Sequence, residues 1–139
     1  MPLTFEHSVE CSVNPENAWR FWTNPRNWAL DSDVVSVELN GPFASGSEGI
    51  TESRSAGKIY WKLKSVSDDN RAVIEIRLPD GVAEFHWKFA ATPSGTQITQ
   101  KVTLEGPQAQ AYFDVLKDGI PGGMAKLAQA IENSAANRA

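Results

Sequence analysis

The hydrophobic period of this chain changes once, and that change limits the folds open to it. In "TFEHSVECSV", Thr4 to Val13, the alternation is strict. Phe5, His7, Val9, Cys11 and Val13 share one face and Thr4, Glu6, Ser8, Glu10 and Ser12 the other, the mark of a half-buried strand. Six more strand-like segments follow: "VVSVEL" (34–39), "EGITESR" (48–54), "KIYWKLKSV" (58–66), "RAVIEIRL" (71–78), "VAEFHWKFAA" (82–91) and "TQITQKVTLEG" (96–106). Turn signals such as Gly41-Pro42, Pro79-Asp80-Gly81 and Pro93-Ser94-Gly95 separate them, and connections this short favour antiparallel hairpins. From Pro107 the spacing becomes three or four: Phe113, Leu116, Ile120, Met124, Leu127 and Ile131 form one stripe of a long helix.

Between the first two strands the pattern is helical. Asn14-Pro15-Glu16 reads as N-cap, first helical residue and first-turn acid. The helix runs to about Thr23, where Asn24-Pro25 ends it, and a second short turn carries Trp28. In the long helix, Gly119, Pro121, Gly122 and Gly123 interrupt the stripe. Gly costs about 1 kcal/mol and Pro about 3 kcal/mol inside a helix, so a kink or split is expected near 119–123.

The alternation places Ile59, Trp61, Leu63, Ile74, Ile76, Leu78, Phe85, Trp87, Phe89, Ile98, Val102 and Leu104 on one face of the sheet. Lys62, Lys64, Glu75, Arg77, Glu84, His86 and Lys88 belong to the other, in water. A sheet with one apolar face must cover it, and the C-terminal helix is the one large apolar element left. The predicted class is α+β: a strongly curved antiparallel sheet around a long helix, with the short helices plugging its open end.

Composition narrows the function. Residues 1–139 read as one domain, long enough to bury about 70% of its unfolded surface. A net charge of -4 with scattered Lys and Arg argues against nucleic-acid binding. Cys11 is the only cysteine, so neither an internal disulfide nor a thiolate metal site is expected. No HExxH, paired Cys/His spacing or acidic cluster suggests a metal, and no glycine-rich strand-to-helix loop suggests a nucleotide. Without a GxSxG elbow, covalent catalysis is unsupported. No cofactor is expected. With Met1 present, and neither an apolar run of spanning length nor a basic-then-apolar leader, the expected location is cytoplasmic, as a monomer or homodimer.

"FEHSVECSVNPENAWRFWTNPRNW", "LNGPFASGSEG", "FHWKFAATPSGTQITQKVTLEGP" and "KLAQAIE", in that order, resemble the SRPBCC (START-like, helix-grip) superfamily, nearest its polyketide cyclase/dehydrase-like branch. The resemblance covers nearly the whole chain. It implies a seven-stranded sheet gripping the C-terminal helix, with a cavity between them for an apolar or aromatic molecule. Members bind lipids, sterols, polyketides and plant hormones; some are cyclases, hydratases or dehydratases, and others dock protein partners.

On that reading the inner face becomes a cavity inventory. Its polar members stand out, because a buried polar group without a partner costs roughly 2–7 kcal/mol. His7 is either a general acid/base or a core histidine bonded to a neighbour. The resemblance makes the first and last strands adjacent, so Gln100 is the candidate partner. Glu52 and Arg54 alternate with Ile50 and are expected inward, where they would polarise a keto or carboxylate group; on an edge both would be solvated. His7, Glu52 and Arg54 are thus the candidate catalytic groups. Trp61, Phe85, Trp87 and Phe89 form an aromatic wall suited to a planar ligand or to plain packing. Gln100, Tyr112, Leu116 and Ile120 are expected to border the same space. Trp19, near the helix start, is expected to pack against the sheet, and Trp28 to line the entrance.

Overall fold

The computed structural model describes residues 3–30, 34–54, 57–67, 70–78 and 80–137. The alternating N-terminal segment forms β1 (Leu3–Cys11). Helix α1 (Pro15–Trp22) starts where the sequence signals it: the Asn14 side chain accepts from the Asn17 N–H at 2.9 Å, and Pro15 occupies the first turn. A 3₁₀ helix, η1 (Pro25–Leu30), follows. Then come β2 (Val34–Asn40), β3 (Glu48–Ser53), β4 (Gly57–Ser67), β5 (Arg71–Leu78), β6 (Gly81–Thr92), β7 (Gly95–Glu105) and the long helix α2 (Ala109–Asn137).

The seven strands form one antiparallel sheet in the order β1-β7-β6-β5-β4-β3-β2, so the first and last strands are neighbours. Register shifts in β2, between Val34 and Ser36, and in β4, between Leu63 and Ser65, add local twist to the half of the sheet farthest from β1. Rows of paired residues cross the inner face. One runs Phe5, Val102, Phe85, Ile74, Leu63; the next runs Leu3, Leu104, Ala83, Ile76, Trp61, Gly49. Leu63, Ile98, Val102 and Leu104 are fully buried. At about 1.5–3 kcal/mol for each fully buried aliphatic side chain, this face is a main source of stability.

Helix α2 packs mainly on β1 and β7, at one side of the sheet. It is one continuous helix through Gly119, Pro121, Gly122 and Gly123, so the split expected there does not occur. Ile120, Met124 and Ile131 are buried on its inner side, and that packing outweighs the local penalty. The opposite side of the sheet is left uncovered by α2 and faces η1, which packs against β2.

The C-terminal half of α2 is latched to the β1–α1 junction. The Glu132 carboxylate accepts from both the backbone N–H and the hydroxyl of Ser12, each at 2.9 Å. These bonds hold the Glu132 pKa below the ordinary glutamate value. A lowered folded-state pKa means stability that is present above the unfolded glutamate pKa and lost as pH falls through the folded value. Glu132→Gln should therefore lower the urea midpoint at pH 7, and the gap to wild type should close as pH drops below the glutamate range. A gap of constant size in acid would show that the carboxylate's charge is irrelevant to the latch.

Candidate functional site

A cavity of about 600 Å³ opens between the inner face of β3–β7, the α1–η1 segment and the flank of α2. It exists because α2 lies to one side of the sheet, while small residues in the inner rows, Ala72 opposite Trp87 and Ala83 opposite Ile76, leave the large ones room. The sheet contributes Thr51, Ile59, Trp61, Ile74, Ile76, Phe85, Trp87 and Gln100. Phe21, Trp22, Asn27 and Trp28 close one end, and Gly123, Lys126, Leu127, Gln129, Ala130 and Asn133 border it from α2.

Four of the five tryptophans line this space, and they are held in place rather than loosely stacked. The Trp28 indole N–H donates to the Trp22 carbonyl at 2.6 Å, tying η1 to the end of α1. The Trp61 indole N–H donates to the Thr51 hydroxyl at 3.0 Å. Trp22 lies 4.9 Å from Trp87, and Trp28 lies 5.0 Å from Trp61, both tilted. Two such pairs bridge the plug to the sheet. Each satisfied N–H removes a desolvation cost that an indole in an apolar wall would otherwise carry.

Trp19, the fifth, stands outside the cavity in the core beneath α1, edge-on to Phe89 at 5.4 Å. Helix α1 thus splits its two tryptophans: Trp19 packs in the core, while Trp22, with Trp28 of η1, lines the cavity.

Of the expected ligand contacts, Trp28, Trp61, Phe85, Trp87 and Gln100 line the cavity. Phe89, Tyr112, Leu116 and Ile120 do not. Phe89 is buried in the knot with Trp19 and Trp22. Tyr112 is 40% exposed, and Ile120 is buried in the core. For the three α2 residues the N-terminal half of the helix lies clear of the lining, so the bordering residues fall later, at 123–133.

The candidate catalytic groups are not brought together. Glu52 is exposed on the outer face of β3, whose inner face carries Gly49, Thr51 and Ser53; Arg54, just past the strand, is also exposed. His7 does face inward, paired across the sheet with Gln100, but it lies outside the cavity lining. Thr51 was hidden from sequence reasoning because Ile50 drew the inward phase to the wrong residues. Lys126, Gln129 and Asn133 were missed because polar residues beside an apolar stripe look like a solvated face. Their spacing of three and four along one side of the helix was the available signal.

Elsewhere, the buried Cys11 thiol is pushed above its usual pKa by desolvation, which makes it a poor nucleophile. His86 pairs with Glu84 on the outer face, beside the Lys64–Glu84 ion pair. Among the described residues no three His, Cys, Asp or Glu side chains gather as metal ligands would. No helix among them is long and apolar enough to cross a membrane.

Residues 2–134 match the family described as "Polyketide cyclase / dehydrase and lipid transport". The chain belongs to that family. Solved structures share the fold at low identity. Protein MLL2253 from Mesorhizobium loti superposes with a TM-score of 0.79 at 18% identity, over 94% of this chain and 98% of that one. The di-domain ARO/CYC StfQ from the steffimycin biosynthetic pathway gives 0.79 at 14%, over 99% of this chain and 53% of that one. Truncated norcoclaurine synthase from Thalictrum flavum gives 0.73 at 12%, over 97% and 94%. A search of curated proteins finds no match. The helix-grip architecture of this family member is therefore established, with its long helix set beside the cavity rather than across it.

Proposed function

We propose that this family member binds an apolar or aromatic small molecule, lipid- or polyketide-like, in the cavity beside α2. The observation that carries this reading is the lining itself. Aromatic and aliphatic residues make up eleven of the eighteen described residues that line it and six are polar, the predominantly apolar profile of a small-molecule site. The volume lies within the ordinary range for such sites, about 300–1,000 Å³.

A cyclase or dehydratase role draws support from the family description and from StfQ as a neighbour in fold. Acid–base chemistry on one ligand atom needs titratable groups converging on it. Among the described residues Lys126 is the one such group in the lining, while His7, Glu52 and Arg54 lie elsewhere. Binding is the better-supported reading. A docking module would fill its interior with its own side chains, and this interior is hollow.

The test uses the tryptophans. Since four of them line the cavity, a neutral planar probe such as 2-naphthamide should quench intrinsic fluorescence saturably and appear as a 1:1 adduct in native mass spectrometry. Trp87→Ala should weaken that binding by about tenfold, from the loss of one aromatic wall. Native spectra of protein purified from its own cells should show the resident ligand's mass. No quenching, adduct or melting shift with any apolar probe would remove the cavity as a binding site.

A further inference from the structure

Among the described residues that line the cavity one side chain is charged, and it is a cation. Lys126 makes no ion pair among the described residues, and it is exposed, which puts it where the cavity meets solvent. On the same flank of α2, Gln129 donates its amide to Asn133 Oδ1 at 3.0 Å, which leaves the Asn133 amide N–H free to donate. Glu132, the acid on that turn, is engaged by Ser12 instead. Among the described residues the rim therefore offers a positive charge and a neutral donor, and no carboxylate belongs to the lining.

A second observation comes from inside. Gln100 is only 7% exposed and lines the cavity, and its carboxamide makes no hydrogen bond to any described residue. The amide opens on the cavity, so a hydroxyl or carbonyl of a bound molecule can take the place of solvent on it. It sits in β7 between His7 and Trp87, so its partner lies against the aromatic wall.

Building on the binding role proposed above, we infer that the ligand is an acid: an apolar body with one carboxylate held at the rim by Lys126 and Asn133, and a hydroxyl or carbonyl buried against Gln100. The Trp22, Trp28, Trp61 and Trp87 rings take the body between these two ends. An ammonium beside a half-desolvated carboxylate gives a charge-assisted hydrogen bond, about twice as strong as a neutral one. This attraction acts at the mouth and is weakened by salt.

Matched probes test the assignment. 2-Naphthoate should bind about tenfold tighter than isosteric 2-naphthamide at low ionic strength, the discrimination a single charged contact supplies. Lys126→Gln, at an exposed helix position where the fold tolerates it, should erase that preference. The preference of wild type for 6-hydroxy-2-naphthoate over 2-naphthoate should vanish in Gln100→Leu. Laurate against lauramide repeats the comparison with a fatty chain; tighter binding of the naphthoate or of the laurate tells an aromatic acid from a fatty acid. Equal affinity for acid and amide, or a preference that survives Lys126→Gln, overturns the acid assignment and leaves the binding role intact. Failure of every probe, neutral ones included, overturns both.

Discussion

Phe89→Ala should destabilise the protein by about 3–5 kcal/mol, the loss seen when a large aromatic is cut from a close-packed core. Phe89 is 1% exposed, so solvent cannot refill the hole without meeting apolar walls. Its ring is edge-on to Trp19 at 5.4 Å and tilted against Trp22 at 5.5 Å. It is thus the sheet residue on which α1 rests. Neither tryptophan can follow a shrinking side chain easily, because Trp22 also packs on Trp28, Phe43 and Trp87. Incomplete collapse is what makes a truncation expensive. For a chain of this length the loss corresponds to a melting temperature lower by roughly 10–20 °C. Thermal and urea melts of wild type and variant measure it. A loss under about 1 kcal/mol would mean that α1 reseats on the sheet, and the plug would then be a mobile part rather than an extension of the core.

That dependence of the plug on the sheet was partly legible in the sequence. Asn14-Pro15-Glu16 marked the start of α1, and Asn24-Pro25 its end, because capping and proline geometry are local properties. Strand phases were legible wherever large apolar residues alternate, as in β4–β7. In β3 they were not. There the inner positions are Gly49, Thr51 and Ser53, while the apolar Ile50 sits outside, so the sequence pattern points Glu52 and Arg54 toward the cavity. The true phase is set by Trp61 on the adjacent strand, whose indole covers Gly49 and bonds Thr51. A tertiary contact, invisible to periodicity, decides it.

The long helix shows the same limit from the other direction. Its stripe identified the buried side, but a stripe fixes rotation about the helix axis and not the position of the helix over the sheet. Since α2 sits toward β1 and β7, its mid-length flank meets the cavity, and Tyr112 and Leu116 lie clear of the lining. The candidate catalytic groups are kept apart for a related reason. Strand alternation groups charged residues along β1 and β3, whereas among the described residues the one charge in the lining stands on a helix flank.

The contact between Gly49 and Trp61 supports a second large effect, on stability and on the site together. Gly49 pairs with Trp61 across β3 and β4, and an added Cβ would overlap the carbons of its indole ring. Gly49→Ala should therefore destabilise by about 1–3 kcal/mol through overpacking, even though alanine is the better residue for an ordinary strand. The ring cannot step aside cheaply. It is 5% exposed, its N–H is committed to Thr51, and Trp28 lies against it at 5.0 Å. The space open to it is the cavity. Movement that way breaks the Thr51 bond, parts Trp61 from Trp28 and takes volume from the ligand. The near-UV circular dichroism of the tryptophans should change, and 2-naphthamide should bind more weakly. Gly119→Ala is the control. It makes the same chemical change on α2 where an added Cβ meets nothing within 4 Å, and it should stabilise by about 0.5–1 kcal/mol through helix propensity. Opposite signs for the two substitutions would show that one glycine shapes the cavity wall and the other does not. A neutral Gly49→Ala with unchanged binding would mean that Trp61 is free to move, and the wall would no longer be a fixed surface.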